Sequence, residues 1–331
     1  MLNKVQKAAF DLIYSDAKFI YTLVDMQNNA KNINSNYVMM CQPYLGIFAD
    51  GAEQWCKKNG LDAPRFNDKE KEYYIKLRQA HKLFEMSYKE YENLLVMKFQ
   101  ESDKYFYNNR TLIEKVIGYY NVGTDYCNGK FCGNTILCAM YMPFNILSDE
   151  KMGIKIRDLN IVTGELVAYF LKKGLDSFAY DDTNNFIKYQ NYNFYKSSPI
   201  KLKSNLGLVL FCVLCSINYI IEFIDKYFIE EIPQKYKYAY LQYYYICDFL
   251  EELNFANKTC FYIDKSLKNR SLRNCFAHYG LGQFLKATEI NEKDILKGLT
   301  EKAFNMDYYS CKELLYKYLQ DLRNQIEEKI F

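Results

Sequence analysis

Residues 206–221 read "LGLVLFCVLCSINYII". The stretch is nearly all apolar, and its reading decides the fold. A span across hydrocarbon needs about 20 such residues. This run is shorter and carries Ser216 and Asn218, so a helix buried in a protein core is the expectation and no membrane is expected as partner.

The pattern outside this run is helical almost throughout. Pro occurs five times in 331 residues, and long stretches have neither Pro nor Gly. Residues 3–26 have helical apolar spacing. A second helix, "YVMMCQPYLGIFADGAEQWCKK" (37–58), is expected to break near Pro43. Residues 67–103 predict one long charge-laced helix, with Asn67 or Asp68 as N-cap. Another is expected over 107–120. The text "NVGTDYCNGKFCGNT" (121–135) reads as a turn-rich loop, followed by "TILCAMYMPFNIL" (135–147) and a helix near 160–178.

The polar, aromatic segment 181–205 contains Pro199, which breaks any helix there, and is the expected domain boundary. Beyond it, helices are predicted at 205–229, 234–255, 262–279 and 308–329. Pro233 suits the start of the second; Gly280 and Gly282 suit the end of the third. The expectation is an all-α protein: an N-terminal helical region, 1–190, and a C-terminal bundle of four or five helices, 195–331.

Bulk composition narrows the function. Half the residues are apolar, enough for a substantial core. The net charge of +3 is too small to imply nucleic acid, so a basic footprint must be local. The first 21 residues carry charges where a leader would be apolar. Most of the 11 cysteines sit in apolar runs, as buried thiols of a reducing cytoplasm do. Cys127, Cys132 and Cys138 lack paired metal-ligand spacing and have no histidine nearby, so no metal and no cofactor is expected.

Two histidines occur in the chain, and one ends "LRNCFAH" (272–278). Asn274 and His278 lie four apart on one helical face. Arg273 lies about 140° from His278 on a regular helix, although a long side chain can swing round. Arginine matches phosphate oxygens with a charged fork. Histidine gives and takes protons near neutral pH, and Asn274 can orient the ring. The three together suit cleavage of RNA by its own 2′-hydroxyl. A helix end whose Arg273 and His278 complement the helix dipole is the plainer alternative.

"LRNCFAH" resembles the Arg-Asn-x-x-x-His signature of HEPN domains, over roughly residues 195–331. The resemblance implies Arg273, Asn274 and His278 as catalytic residues of a metal-independent endoribonuclease that leaves 2′,3′-cyclic phosphate ends. It also implies a homodimer sharing one composite site, and a toxin or antiphage-defence role in the cytoplasm, with an antitoxin or other regulator as possible partner. In toxins of this family silenced by a nucleotidyltransferase, a tyrosine commonly stands two residues after the histidine; here Tyr279 follows at once and Gly280 takes the later place. A non-catalytic HEPN-like binding or sensor module is the alternative.

Further contacts to RNA are expected from Lys265, Lys268 and Arg270 in "DKSLKNRSLR" (264–273), and from Tyr279. The tract "KYQNYNFYKSSPIKLK" (188–203) interleaves cations and rings as single-stranded RNA sites do, but 33 tyrosines make such clusters common in this chain. Asp248, Glu251 and Glu252 are candidate helper carboxylates or a solvated helix end. The first 190 residues have no family resemblance and are expected to act as sensor, inhibitor or RNA platform.

Overall fold

The structure is a computed structural model that describes residues 2–31, 40–142, 152–172, 174–181, 183, 187–291 and 294–331. It is predominantly α-helical. In chain order come α1 (Lys4–Asn29), α2 (Gln42–Lys58), α3 (Asp68–Gln79), a 3-10 turn (Ala80–Glu85), α4 (Tyr88–Asn108), α5 (Leu112–Ile117), β1 (Val122–Cys127), β2 (Lys130–Asn134), α6 (Thr135–Tyr141), α7 (Met152–Phe170), β3 (Ile187–Tyr192), α8 (Asn205–Asn218), α9 (Pro233–Asn257), α10 (Arg270–His278), α11 (Ile295–Phe304) and α12 (Tyr308–Ile330).

The apolar run at 206–221 forms α8 and a following π-helical turn, Tyr219–Asp225. Among the described residues this is the one helix long and apolar enough to cross a membrane, and its most apolar stretch lies wholly inside the fold. It packs on β2, α4, α9 and α12, which explains why all its faces are apolar.

Several boundaries differ from expectation, each for a local reason. The break expected near Pro43 falls at Cys41, a turn between helical Met40 and the start of α2 at Gln42; Pro43 stands in the first turn of α2, where a missing N–H costs nothing. Residues 37–39 of that expected helix, and 143–147 of "TILCAMYMPFNIL", lie outside the described residues. The long helix expected over 67–103 is two helices. Asn67 caps α3, as expected, and Ser87 caps α4, each in a reciprocal capping box with a glutamate three residues on. Lys82 takes non-helical angles between them. The helix expected over 262–279 begins at Arg270, where Asn269 caps the backbone N–H groups of Ser271 and Leu272. Helix α11, not anticipated, is capped by Asp294.

The loop 121–135 is largely a hairpin. Asn128 and Gly129 both take positive φ, 52° and 78°, the turn that joins antiparallel strands with matched twist. Strand β1 pairs antiparallel with β2 on one side and β3 on the other. Strand β3 falls within the expected boundary segment at 181–205 and pairs with β1 of the hairpin. Residues from both sides of it share one apolar core. Ten of the eleven cysteines are buried as free thiols, and Cys260 is exposed.

Candidate functional site

Helix α10 is short and regular, so its sequence spacing becomes geometry. Asn274 and His278, one turn apart, line a single cleft of about 780 Å³ together with Gln6, Gln54, Trp55 and Lys58. Arg273 does not join them. It is 8% exposed and lines a different cleft of about 400 Å³. There its guanidinium lies 5.3 Å from the ring of Tyr244 and 5.7 Å from that of Tyr245, the cation–π placement. Its Nε has no hydrogen-bond partner among the described residues. The 140° offset thus outweighs the reach of the side chain.

The N-terminal half brings a second arginine to the motif. Arg78 of α3 places Nη2 on His278 Nδ1, and 3.2 Å from Nε2. Arginine has donors alone, so Nδ1 accepts. The other arm of Arg78 is held by the buried carboxylate of Asp50 on α2. Asp50 in turn accepts a bond of 2.7 Å from Gln54. This arrangement depends on Gly46, where α2 and α3 nearly touch: a Cβ there would lie 2.5 Å from the backbone N of Arg78. Gly46→Ala is therefore expected to lower folding stability by about 1–3 kcal/mol, read as a lower urea midpoint at unchanged slope. An unshifted midpoint would mean that the helices can part at no cost.

His278 sits in a positive field. Solvent reaches the residue, yet its pKa is lowered to about 4, first by burial of part of the ring and then by Arg78, Arg273 and Lys82, with Asp50 opposing. The imidazole is thus neutral at pH 7 and able to accept a proton. His81 is buried, bonded through Nδ1 to the Arg78 carbonyl, and lowered to about 3, mainly by burial; it has no comparable access to solvent.

Tyr279 borders the same cleft as His278, but its hydroxyl is committed elsewhere. It is 1% exposed, and its hydroxyl bonds the carboxylate of Asp16. Lys237 pairs with the same carboxylate, and Tyr238 donates to it at 3.0 Å. Tyr279 also ends α10 in the left-handed conformation, φ 52°, the position where Gly280 was expected. A non-glycine residue costs about 1–2 kcal/mol there, which the anchored side chain can offset. The anchor clamps the end of α10, and with it His278, between α1 and α9.

The expected phosphate-binding lysines are engaged elsewhere. Lys265 pairs with Asp248 at 3.0 Å and with Glu251, and Lys268 pairs with Asp248. Glu252 accepts the Tyr88 backbone N–H at 2.9 Å. The carboxylates considered as helpers therefore neutralise the basic stretch or cap α4, because loop 258–269 folds onto the α9 face that carries them. Arg270 is exposed at the start of α10. In the tract 188–203, Lys203 bonds the Phe194 and Ser198 carbonyls, both at 2.8 Å, which closes a turn. Among the described residues no three His, Cys, Asp or Glu side chains come together as a metal-ligand set.

Sequence reasoning missed Arg78, Asp50 and Lys82. No motif marks them: Arg78 stands in an ordinary charged helix, 28 residues from Asp50 and 200 from His278. Comparison with family models, curated proteins and solved structures gave no match to the chain.

Proposed function

We propose that the chain is a metal-independent endoribonuclease of the HEPN type, acting on RNA through His278. The observation that carries this reading is a neutral imidazole at the rim of an open cleft, touched by Arg78 and held in its neutral form by burial and by the field of Arg78, Arg273 and Lys82. The imidazole accepts the proton of a ribose 2′-hydroxyl. The O2′–P bond forms, the P–O5′ bond breaks, and the 5′-oxygen takes a proton, leaving a 2′,3′-cyclic phosphate. Arg78 stabilises the charge that gathers on the phosphate oxygens. Asn274, one turn away on the same face, orients the ring or a phosphate oxygen.

A second reading, a non-catalytic RNA or protein-binding module, is favoured by the turning of Arg273 away from His278 and by the pairing of Lys265 and Lys268 with carboxylates. Incubation of purified protein with total RNA in EDTA separates the two. The nuclease reading expects fragments with 2′,3′-cyclic phosphate ends, and intact RNA in every fraction would sink it. The pH profile has a distinctive form as well. The acid limb of kcat/KM reports the free enzyme, so it should fall near pH 4 and not near the ordinary 6.5 of histidine. Growth arrest on expression, and a regulator that prevents it, belong to the same proposal.

A further inference from the structure

Arg78 meets His278 from a distant part of the chain, and its environment says what it is for. The residue is 8% exposed, and its guanidinium has a carboxylate, Asp50, on one arm. The other arm rests on a neutral imidazole nitrogen. A phosphate oxygen is the stronger acceptor for an arginine N–H, because both partners then carry charge. His278 lines a cleft open to such a group, and Arg78, outside the lining, lies directly against the His278 ring. The arginine of the motif cannot meet a phosphate in this cleft while it lies over Tyr244 and Tyr245.

We propose that the site is completed within one chain: Arg78 is the arginine that receives the RNA phosphate beside His278, and the phosphate frees the imidazole by taking over its N–H groups. The inference rests on the ribonuclease reading for its substrate, but not for the contact itself. Helices α2 and α3 thereby gain a role, as the carriers of Asp50 and Arg78. A freed imidazole loses a cation donating to its lone pair and gains an anion nearby. Both changes favour its protonated form, so the substrate arms the base it needs. The charged and titratable groups around the ring are Arg78, Arg273, Lys82, Asp50 and His81.

Three measurements on the full chain test this. The first follows the His278 ring by NMR in histidine-labelled protein, with a 2′-O-methyl trinucleotide as an uncleavable probe. In the native chain the probe should raise the pH midpoint of His278. In Arg78→Gln the midpoint should already be raised without probe, and the probe should move it little. The double variant Asp50→Asn/Arg78→Gln covers the case in which the single change leaves Asp50 uncompensated and unfolds the protein. An equal response to the probe in native and folded variant chains overturns the proposal.

The second is cleavage: Arg78→Gln, or the double variant, should be slower by roughly 100-fold, the usual cost of one donor to a developing oxyanion. Native rates overturn the proposal and leave the ribonuclease reading standing. The third mixes Arg78→Gln with His278→Ala chains. A site built within one chain regains nothing, whereas recovery of activity places Arg78 and His278 of different copies together and overturns it. If the native chain cuts no RNA yet the probe acts on His278 through Arg78, the ribonuclease reading falls and the phosphate contact stands.

Discussion

Asp16→Ala is expected to cost about 3–5 kcal/mol of folding stability, the penalty for leaving one member of a buried ion pair unpaired. Asp16 and Lys237 are both 0% exposed and bonded to each other. Two further hydroxyls, of Tyr238 and Tyr279, end on the same carboxylate, and Gln234 donates to it at 2.8 Å. Removal strands an ammonium group and three donors in the core, where an unmet charge is far costlier than an unmade neutral bond. The check is a urea titration followed by far-UV circular dichroism. Asp16→Leu/Lys237→Met should recover much of the loss, since an apolar pair of similar size commonly replaces a buried ion pair without penalty. A loss below about 1 kcal/mol for the single change would show that the pair contributes no more than a surface bridge.

His278→Ala is expected to reduce RNA cleavage by about 10²–10⁴-fold, the range for removing a positioned proton-transfer group. Folding should be nearly untouched. The ring ends α10 and is open to solvent, and Arg78 keeps its carboxylate partner after the change. A single-turnover rate on a defined RNA, beside a thermal melt, separates the two effects. A residual rate within tenfold of the native one, with an unshifted melt, would remove His278 from the chemistry.

The sequence foretold those parts of the fold that depend on neighbours along the chain. The apolar run at 206–221 is a core helix because it is apolar on every face. Asn67 caps a helix because its side chain meets N–H groups two and three residues on. The break at Ser87 was equally local, and its capping box with Glu90 was readable. The hairpin at Asn128–Gly129 was readable too, hidden by the short strands beside it. The placement of β3 on β1 was not, since its alternation is mostly exposed and pairing at that separation leaves no local mark.

The site divides the same way. Asn274 and His278 share a cleft because helical spacing alone puts them there. Arg273 diverges because α10 stays regular, which the spacing stated and the length of an arginine side chain obscured. Arg78 and Asp50 reach the motif through the close passage of α2 and α3 at Gly46, and Tyr279 is claimed by a carboxylate 263 residues away. Long-range packing of this kind has no signature in one sequence.

The distribution of thiols has a practical consequence. Cys260 lies in the turn between α9 and α10, and the other ten sulfhydryls are enclosed by the fold. A maleimide dye should therefore attach to the native chain at one defined point, in the segment that leads into the motif helix, with no need to strip cysteines by mutation. The same ten hidden groups form an internal clock: the pace at which they become available to a thiol reagent reports how often the body opens, region by region.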